Sequence, residues 1–193
     1  MKPVQLALWT TLIFVAYQPA NAETLRIIRN VSSGLVLDVL GAQTNDGQPV
    51  ILFEKNGGLN QVFDVQDFGF TSPGNHQVVT IVAKHSGLCL SQLGFAPNST
   101  NNFGPIVQTE CLTGGQNWVI VPIGRPTSEC GPPGPGCFPI GFTLAHEGDK
   151  CMDARNPNFP TPPPRGAPLQ HFTCARDTND RWFVNQTFVF DVP

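Results

Sequence analysis

The side chains that could catalyse a reaction are few and scattered along this chain of 193 residues. Neither a Gly-x-Ser-x-Gly nor a His-Glu-x-x-His motif occurs, so the patterns of a serine hydrolase and of a zinc protease are missing. The acidic residues have no spacing that indicates a carboxylate pair for glycoside cleavage. We therefore predict a binding protein rather than an enzyme, with no cofactor and no metal ion.

The six cysteines could form disulfides, which depends on the compartment in which the protein resides. Lys2 precedes an apolar run over residues 4–17, and Ala20-Asn21-Ala22 has the small residues of a cleavage site. This pattern predicts a signal peptide over residues 1–22 and a secreted, extracellular mature chain over residues 23–193. The apolar run is shorter than the roughly 20 residues that a membrane helix needs, so no membrane span is expected.

In an exported chain the cysteines are expected to form disulfides, but six cysteines allow fifteen pairings. Cys130 and Cys137 enclose a segment of glycine and proline, which a local bridge between them would hold together. N-glycosylation sequons begin at Asn30, Asn98 and Asn185 and fit the same secretory route. The net charge is −3 and no run of lysine or arginine occurs, so the basic face that nucleic-acid binding requires is missing.

The elements that must position any site come from an internal repeat. Three stretches share the same order of blocks, at about residues 24–70, 76–122 and 141–190, with a Pro/Gly-rich linker over 123–140. The opening blocks are 33–38 (SGLVLD), 86–91 (SGLCLS) and 148–153 (GDKCMD). The second blocks are 49–55 (PVILFEK), 105–111 (PIVQTEC) and 168–174 (PLQHFTC).

A third block closes each repeat with an aromatic residue, at 61–63 (QVF), 116–118 (QNW) and 180–182 (DRW). Short β-branched and aromatic runs alternate with turn residues, which favours an all-β fold. One repeat cannot bury its own apolar face, so Phe63, Trp118 and Trp182 are expected to meet at the centre of the fold. The run over residues 188–192 is expected to form the last strand and to pair near the start of the first repeat.

The closing triplets resemble the (QxW)₃ signature of ricin B-type lectin domains, and the opening blocks resemble the C-x-D segment of that family. The pattern departs from the family at Phe63, Ser91 and Asp180. The resemblance implies a β-trefoil of three pseudo-repeats with about twelve strands over residues 23–193, preceded by the signal peptide. It also implies disulfides within two repeats, Cys89 with Cys111 and Cys151 with Cys174.

The resemblance further implies a carbohydrate-binding protein, a lectin for galactose-type or N-acetylgalactosamine-type glycans and glycoproteins. Such a site needs a carboxylate for vicinal hydroxyl groups, an amide, and an aromatic ring for the apolar face of the sugar. The third repeat keeps the most of this set: Asp153 as carboxylate, Gln170 as amide, Phe172 as ring, and Asn179 before the closing triplet. It is therefore the first candidate.

The first repeat is the second candidate, because it keeps Asp38, Phe53 and Asn60 but has Ile51 at the amide position. The second repeat has lost the carboxylate, the amide and the ring, and no sugar site is expected there. The alternative is a binder of a protein target without sugar affinity, an interaction module or a protease inhibitor. In the inhibitor, Arg155 or Arg165 of a Pro-rich insertion would enter a trypsin-like pocket. The sequence does not indicate an oligomeric state.

Overall fold

The computed structural model describes residues 23–71, 75–93, 104–111, 116–123, 141–146, 150–156, 161–175 and 183–193. The predicted signal peptide over residues 1–22, nearly all of the linker over 123–140, and Asn98, Cys130, Cys137 and Asn179 lie outside these ranges. Within them, no helix is both long enough and apolar enough to cross a membrane.

The described residues form twelve strands and a few short helical turns. The strands are β1 (Leu25–Asn30), β2 (Val36–Val39), β3 (Gln48–Phe53), β4 (Phe63–Phe70), β5 (Gln77–Ala83), β6 (Cys89–Gln92), β7 (Ile106–Thr109), β8 (Asn117–Ile123), β9 (Gly141–His146), β10 (Lys150–Ala154), β11 (Leu169–Thr173) and β12 (Phe188–Asp191). One-turn 3-10 helices cover Leu40–Ala42 and Leu59–Gln61, and the short helix α1 covers Phe183–Gln186.

The strands form because apolar residues recur with a period of two. In β5, Val79, Ile81 and Ala83 are fully buried, while Thr80 between them is only half-buried. Successive side chains of a strand point to opposite faces, so this alternation places one face of β5 in the core. The all-β class predicted from the sequence is confirmed.

The prediction of a β-trefoil of three pseudo-repeats is wrong. The described strands form one twelve-stranded sheet. Nine of its strands close into a barrel, and the others extend the sheet beyond that barrel. Closure depends on β1, which pairs with β4 at its start and with β12 towards its end. The three repeats are also joined by unequal backbone pairing. The first and second repeats are joined by the pairing of β3 with β7, whereas the third repeat is joined to each of them by one isolated bridge, Ile51–Pro168 and Pro105–Gln170. Matching blocks in the sequence do not fix which strands of neighbouring repeats pair.

Three aromatic side chains of the described residues are completely buried in the core. Phe63 and Trp118 are completely buried, as predicted, and the third is Phe188. Trp182 lies outside the described residues. The indole of Trp118 donates a hydrogen bond from Nε1 to the carbonyl of Leu90 over 3.1 Å, which satisfies its polar atom inside the core.

Two further predictions are confirmed. β12 is the last strand, and it pairs antiparallel with β1 through Ile27–Asn30. Disulfides join Cys89 to Cys111 and Cys151 to Cys174, and each ties the start of a hairpin to its end. Each bridge closes a loop of 22 or 23 residues and removes conformational entropy from the unfolded chain, a stabilisation of about 3 kcal/mol.

Candidate functional site

The carboxylate of the first repeat is held in place by a buried amide. Asp38 lies on β2, opposite Ile51 on β3. Gln61 donates from Nε2 to Asp38 Oδ2 over 2.8 Å and to the carbonyl of Glu54 over 2.8 Å. Its Oε1 accepts the backbone N–H of Asn56 over 2.8 Å. Gln61 is 1% exposed, and both N–H groups and the oxygen of its amide are used to fix the carboxylate and the turn beside it.

The environment of Asp38 acts on its ionisation in two directions. Burial raises the pKa of Asp38 above its ordinary value, and the hydrogen bonds from Gln61 and Asn60 and the nearby His85 oppose this rise. Asn60 is itself held, because it donates from Nδ2 to the carbonyl of Val39 over 3.1 Å. The site therefore presents a positioned carboxylate next to a positioned amide.

These groups open onto a pocket of about 380 Å³. Its lining combines the carboxylate, an aromatic ring, two amide side chains and an apolar lip: Asp38, Phe53, Asn56, Asn60, Ile51, Leu40, Gly41 and Ala42. The lip includes a left-handed turn, in which Gly41 has φ 65° and Ala42 has φ 52°. The structure thus brings together Asp38, Phe53 and Asn60, the three residues that the sequence indicated in this repeat.

The carboxylate of the third repeat is closed off instead. Asp153 lies on β10, opposite Gln170 on β11, and is 1% exposed. Its Oδ1 accepts a hydrogen bond from Gln170 Nε2 over 2.9 Å, and its Oδ2 accepts one from Gln186 Nε2 over 3.1 Å. Burial raises the pKa of Asp153 to about 6, although both hydrogen bonds lower it. The half-buried Phe172 follows on β11, two residues after Gln170.

The residue opposite each carboxylate accounts for this difference. In the third repeat, Gln170 occupies the second carboxylate oxygen of Asp153. In the first repeat Ile51 stands at the same place and has no donor, so the strand opposite Asp38 supplies no side-chain hydrogen bond to its carboxylate. The sequence pointed to the third repeat because it keeps the amide. The geometry favours the first repeat, because the same amide consumes the oxygen that a ligand would need.

Sequence reasoning missed the amide that anchors Asp153. Gln186 donates to the carbonyl of Thr173 over 3.0 Å and accepts the backbone N–H of Ala175 over 2.7 Å, the same pair of bonds that Gln61 makes in the first repeat. Gln186-Thr187-Phe188 therefore has in the third repeat the arrangement that Gln61-Val62-Phe63 has in the first, and residues 180–182 lie outside the described residues. The signal was present in the sequence, since Asn60-Gln61-x-Phe63 and Asn185-Gln186-x-Phe188 share one pattern.

This assignment changes the interpretation of two predicted glycosylation sites. Asn185 is 1% exposed and precedes the anchoring glutamine just as Asn60 does. Asn30 is completely buried, and its Oδ1 accepts hydrogen bonds from the backbone and hydroxyl of Ser33, which closes a turn. A glycan needs a solvent-facing amide nitrogen, so the burial of both side chains argues against their glycosylation in the folded protein.

The second repeat keeps the supporting glutamine of the other repeats but lacks their carboxylate and aromatic ring. Ser91 stands where the other repeats have aspartate, and it lies opposite Val107. Gln116 still donates to the carbonyl of Glu110, over 2.6 Å. Because this arrangement has neither a carboxylate nor a ring, we assign the hairpin of β6 and β7 a structural role only.

The Pro-rich insertion of the third repeat contacts the first repeat. Gly166 donates its backbone N–H to the carbonyl of Leu52 over 2.7 Å, and Leu52 donates to the carbonyl of Ala167 over 2.9 Å. Arg165 forms an ion pair from Nε to Glu54 Oε2 at 2.6 Å, and its guanidinium carbon lies 4.1 Å from the centroid of the Phe53 ring. Arg165 is thus engaged at the rim of the first-repeat pocket, which weakens the inhibitor hypothesis that presented it to a protease.

Solved structures resemble this chain at low sequence identity. A designed threefold-symmetric protein, ThreeFoil, is 25% identical with a TM-score of 0.62, over 86% of this chain and 96% of that one. A ricin B-like lectin from Macrolepiota procera, solved in complex with lactose, is 17% identical with a TM-score of 0.59, over 91% of this chain and 100% of that one. Ricin B-like lectins are structural neighbours of this chain.

An exo-β-1,3-galactanase from Clostridium thermocellum is also similar, at 22% identity and a TM-score of 0.64 over 92% of this chain. The similarity covers 31% of that enzyme. No protein-family model matches the chain, and no curated protein matches it either. The structural likeness therefore concerns the fold alone, with trefoil-like proteins and ricin B-like lectins among the neighbours.

Proposed function

We propose that the protein is a secreted lectin that binds galactose-type or N-acetylgalactosamine-type glycans through the pocket of its first repeat. One observation carries this proposal: Gln61 holds Asp38 Oδ2 at 2.8 Å, and Asp38 lines one pocket together with the ring of Phe53. A charged acceptor of fixed direction next to a flat apolar surface is the arrangement that a sugar ring requires.

Each lining residue has a role in this proposal. Asp38 Oδ1 accepts hydrogen bonds from two neighbouring hydroxyl groups, and the amides of Asn56 and Asn60 contact the hydroxyl groups beyond them. Phe53 packs against the C–H face of the sugar, which is continuous in galactose because the hydroxyl group at C4 is axial. A pocket of about 380 Å³ has room for one or two sugar rings.

The fold-level comparison supports the sugar class, since one neighbour was solved with lactose, a disaccharide with a terminal galactose. The disulfides support export, because such bonds persist in oxidising compartments. The partners in this proposal are glycans and glycoproteins outside the cell. The third repeat contributes a second, weaker site only where Asp153 becomes accessible.

The proposal is tested on the oxidised mature chain by a glycan array followed by NMR titration with lactose. We expect binding to terminal galactose-type sugars with an affinity in the millimolar to high micromolar range, and its loss in Asp38→Ala. Asp67→Ala is the matched control, because Asp67 is exposed and lies outside the pocket. An array without any signal, or binding that survives Asp38→Ala, would refute the proposal and favour a binder of protein targets.

A further inference from the structure

The ring that would contact the sugar is in contact with a residue from another repeat. Phe53 ends β3 in the first repeat and lines the pocket, and Arg165 comes from the insertion of the third repeat. The guanidinium of Arg165 lies 4.1 Å from the centre of the ring, within the range of a cation–π contact. Arg165 is not among the residues that line the pocket.

Three further bonds hold Arg165 in this position. Its Nε donates to Glu54 Oε2 over 2.6 Å, and Glu54 is the residue after Phe53. The next two residues of the insertion, Gly166 and Ala167, form backbone hydrogen bonds with Leu52. Gly166 has φ 79°, a left-handed conformation that a glycine adopts without strain, and this lets the chain turn from Arg165 into the bonds with Leu52.

We infer that Arg165 is a positioning residue for the sugar site: it orders the ring of Phe53 from behind, so that the opposite face is ready for a ligand. This inference rests on the proposed function. A half-buried phenylalanine at a strand end would otherwise lose rotamer freedom on binding, which costs affinity. The planar guanidinium stacks on the ring while its ion pair with Glu54 keeps it in place. The first-repeat site is therefore built from two repeats.

The first experiment measures lactose affinity by NMR titration for Arg165→Ala, Phe53→Leu and the double variant. We expect Arg165→Ala to weaken binding about two- to tenfold, the range for ordering one side chain. In the Phe53→Leu background, the same change is expected to have no further effect. Equal weakening in both backgrounds would overturn the inference, because the effect would then come from the loop and not from the ring.

Two more variants separate stacking from charge and from general damage to the insertion. Arg165→Lys keeps the charge opposite Glu54 but lacks the planar group, so we expect it to bind as weakly as Arg165→Ala. Full affinity in Arg165→Lys would contradict a stacking role. Arg155→Ala removes an exposed arginine at the other end of the insertion and is the matched control, expected to bind as the wild type does.

The second experiment uses no sugar and separates this inference from the proposed function. The ring resonances of Phe53 are followed by NMR in the free wild-type protein and in free Arg165→Ala. We expect faster ring averaging and shifted ring signals in the variant, with the melting temperature unchanged. Identical ring signals in the two proteins would overturn the inference, whether or not the wild type binds lactose. An absence of lactose binding in the wild type would refute the proposed function alone.

Discussion

Gln61 and Asp38 form the central pair of the candidate site: the glutamine amide donates to one carboxylate oxygen over 2.8 Å, and both side chains are buried. The same relationship recurs between Gln186 and Asp153 over 3.1 Å. An amide that is fully used for support keeps the carboxylate in one orientation. In the first repeat the residue opposite the carboxylate is Ile51, which has no donor, whereas in the third repeat Gln170 donates to the second oxygen of Asp153.

Replacing the supporting amide tests its structural role. Gln61→Met keeps the length of the side chain but leaves Asp38 Oδ2 and the N–H of Asn56 without their partner. We expect a loss of about 1–3 kcal/mol in the free energy of unfolding, measured by urea denaturation, together with weaker lactose binding. Gln66→Met is the control, since Gln66 also donates to an aspartate, Asp64, but is exposed and outside the pocket. Equal stability losses in both variants would contradict a special role for Gln61.

The residue opposite the carboxylate is expected to decide whether the site is open. Ile51→Gln places a donor where Gln170 stands in the third repeat, so its amide should compete with a ligand for the carboxylate of Asp38. We expect a loss of lactose affinity of tenfold or more, an amount that corresponds to about 1.4 kcal/mol. Ile51→Val has no donor and is expected to keep binding. Undiminished affinity in Ile51→Gln would show that the carboxylate of Asp38 does not contact the ligand.

Binding should weaken in acid, because the ligand needs the ionised form of Asp38. Burial raises the pKa of this carboxyl group, so protonation removes the charged acceptor at a higher pH than for an ordinary aspartate. We expect lactose affinity, measured by NMR titration between pH 7 and pH 4, to fall as the pH falls. Asp38→Asn should bind weakly at every pH, with a flat profile. A flat profile in the wild type would contradict this assignment.

The titration of Asp153 should make the folded protein less stable as the pH rises. Its pKa is about 6 in the folded protein and about 4 in an unfolded chain, so the folded state holds more protons between these values. The contribution of Asp153 to stability is then complete below pH 4 and is lost as the pH rises through about 6, a change of about 3 kcal/mol.

Urea unfolding of the wild type and of Asp153→Asn across pH 4 to 7 measures this contribution. The variant cannot titrate at this position, so the difference in unfolding free energy between the two proteins should change across that range. Asp67→Asn changes an exposed carboxylate, so its unfolding free energy should change with pH in parallel with that of the wild type. A constant difference between the wild type and Asp153→Asn would mean that folding does not raise the pKa of Asp153.

The sequence by itself determined the elements that depend on local pattern. Alternating apolar residues predicted an all-β chain, the family resemblance implied the pairs Cys89–Cys111 and Cys151–Cys174, and the apolar run over residues 188–192 predicted the last strand. Asp38, Phe53 and Asn60 were named as one set, and they line one pocket. These results follow from periodicity and from matched blocks, which are properties of neighbouring residues.

Only the tertiary structure decided how the repeats meet and which carboxylate is open. The closure of the sheet through β1 and β4, and the unequal pairing between repeats, depend on contacts between distant segments. The contact of Arg165 with the ring of Phe53 joins residues that lie 112 positions apart in the chain. Asp153 kept more of the expected partners in the sequence, yet those partners bury it. An amide can bind a ligand or donate to a neighbouring carboxylate, and the contacts between paired strands decide between the two. The order of residues alone does not show which of the two occurs.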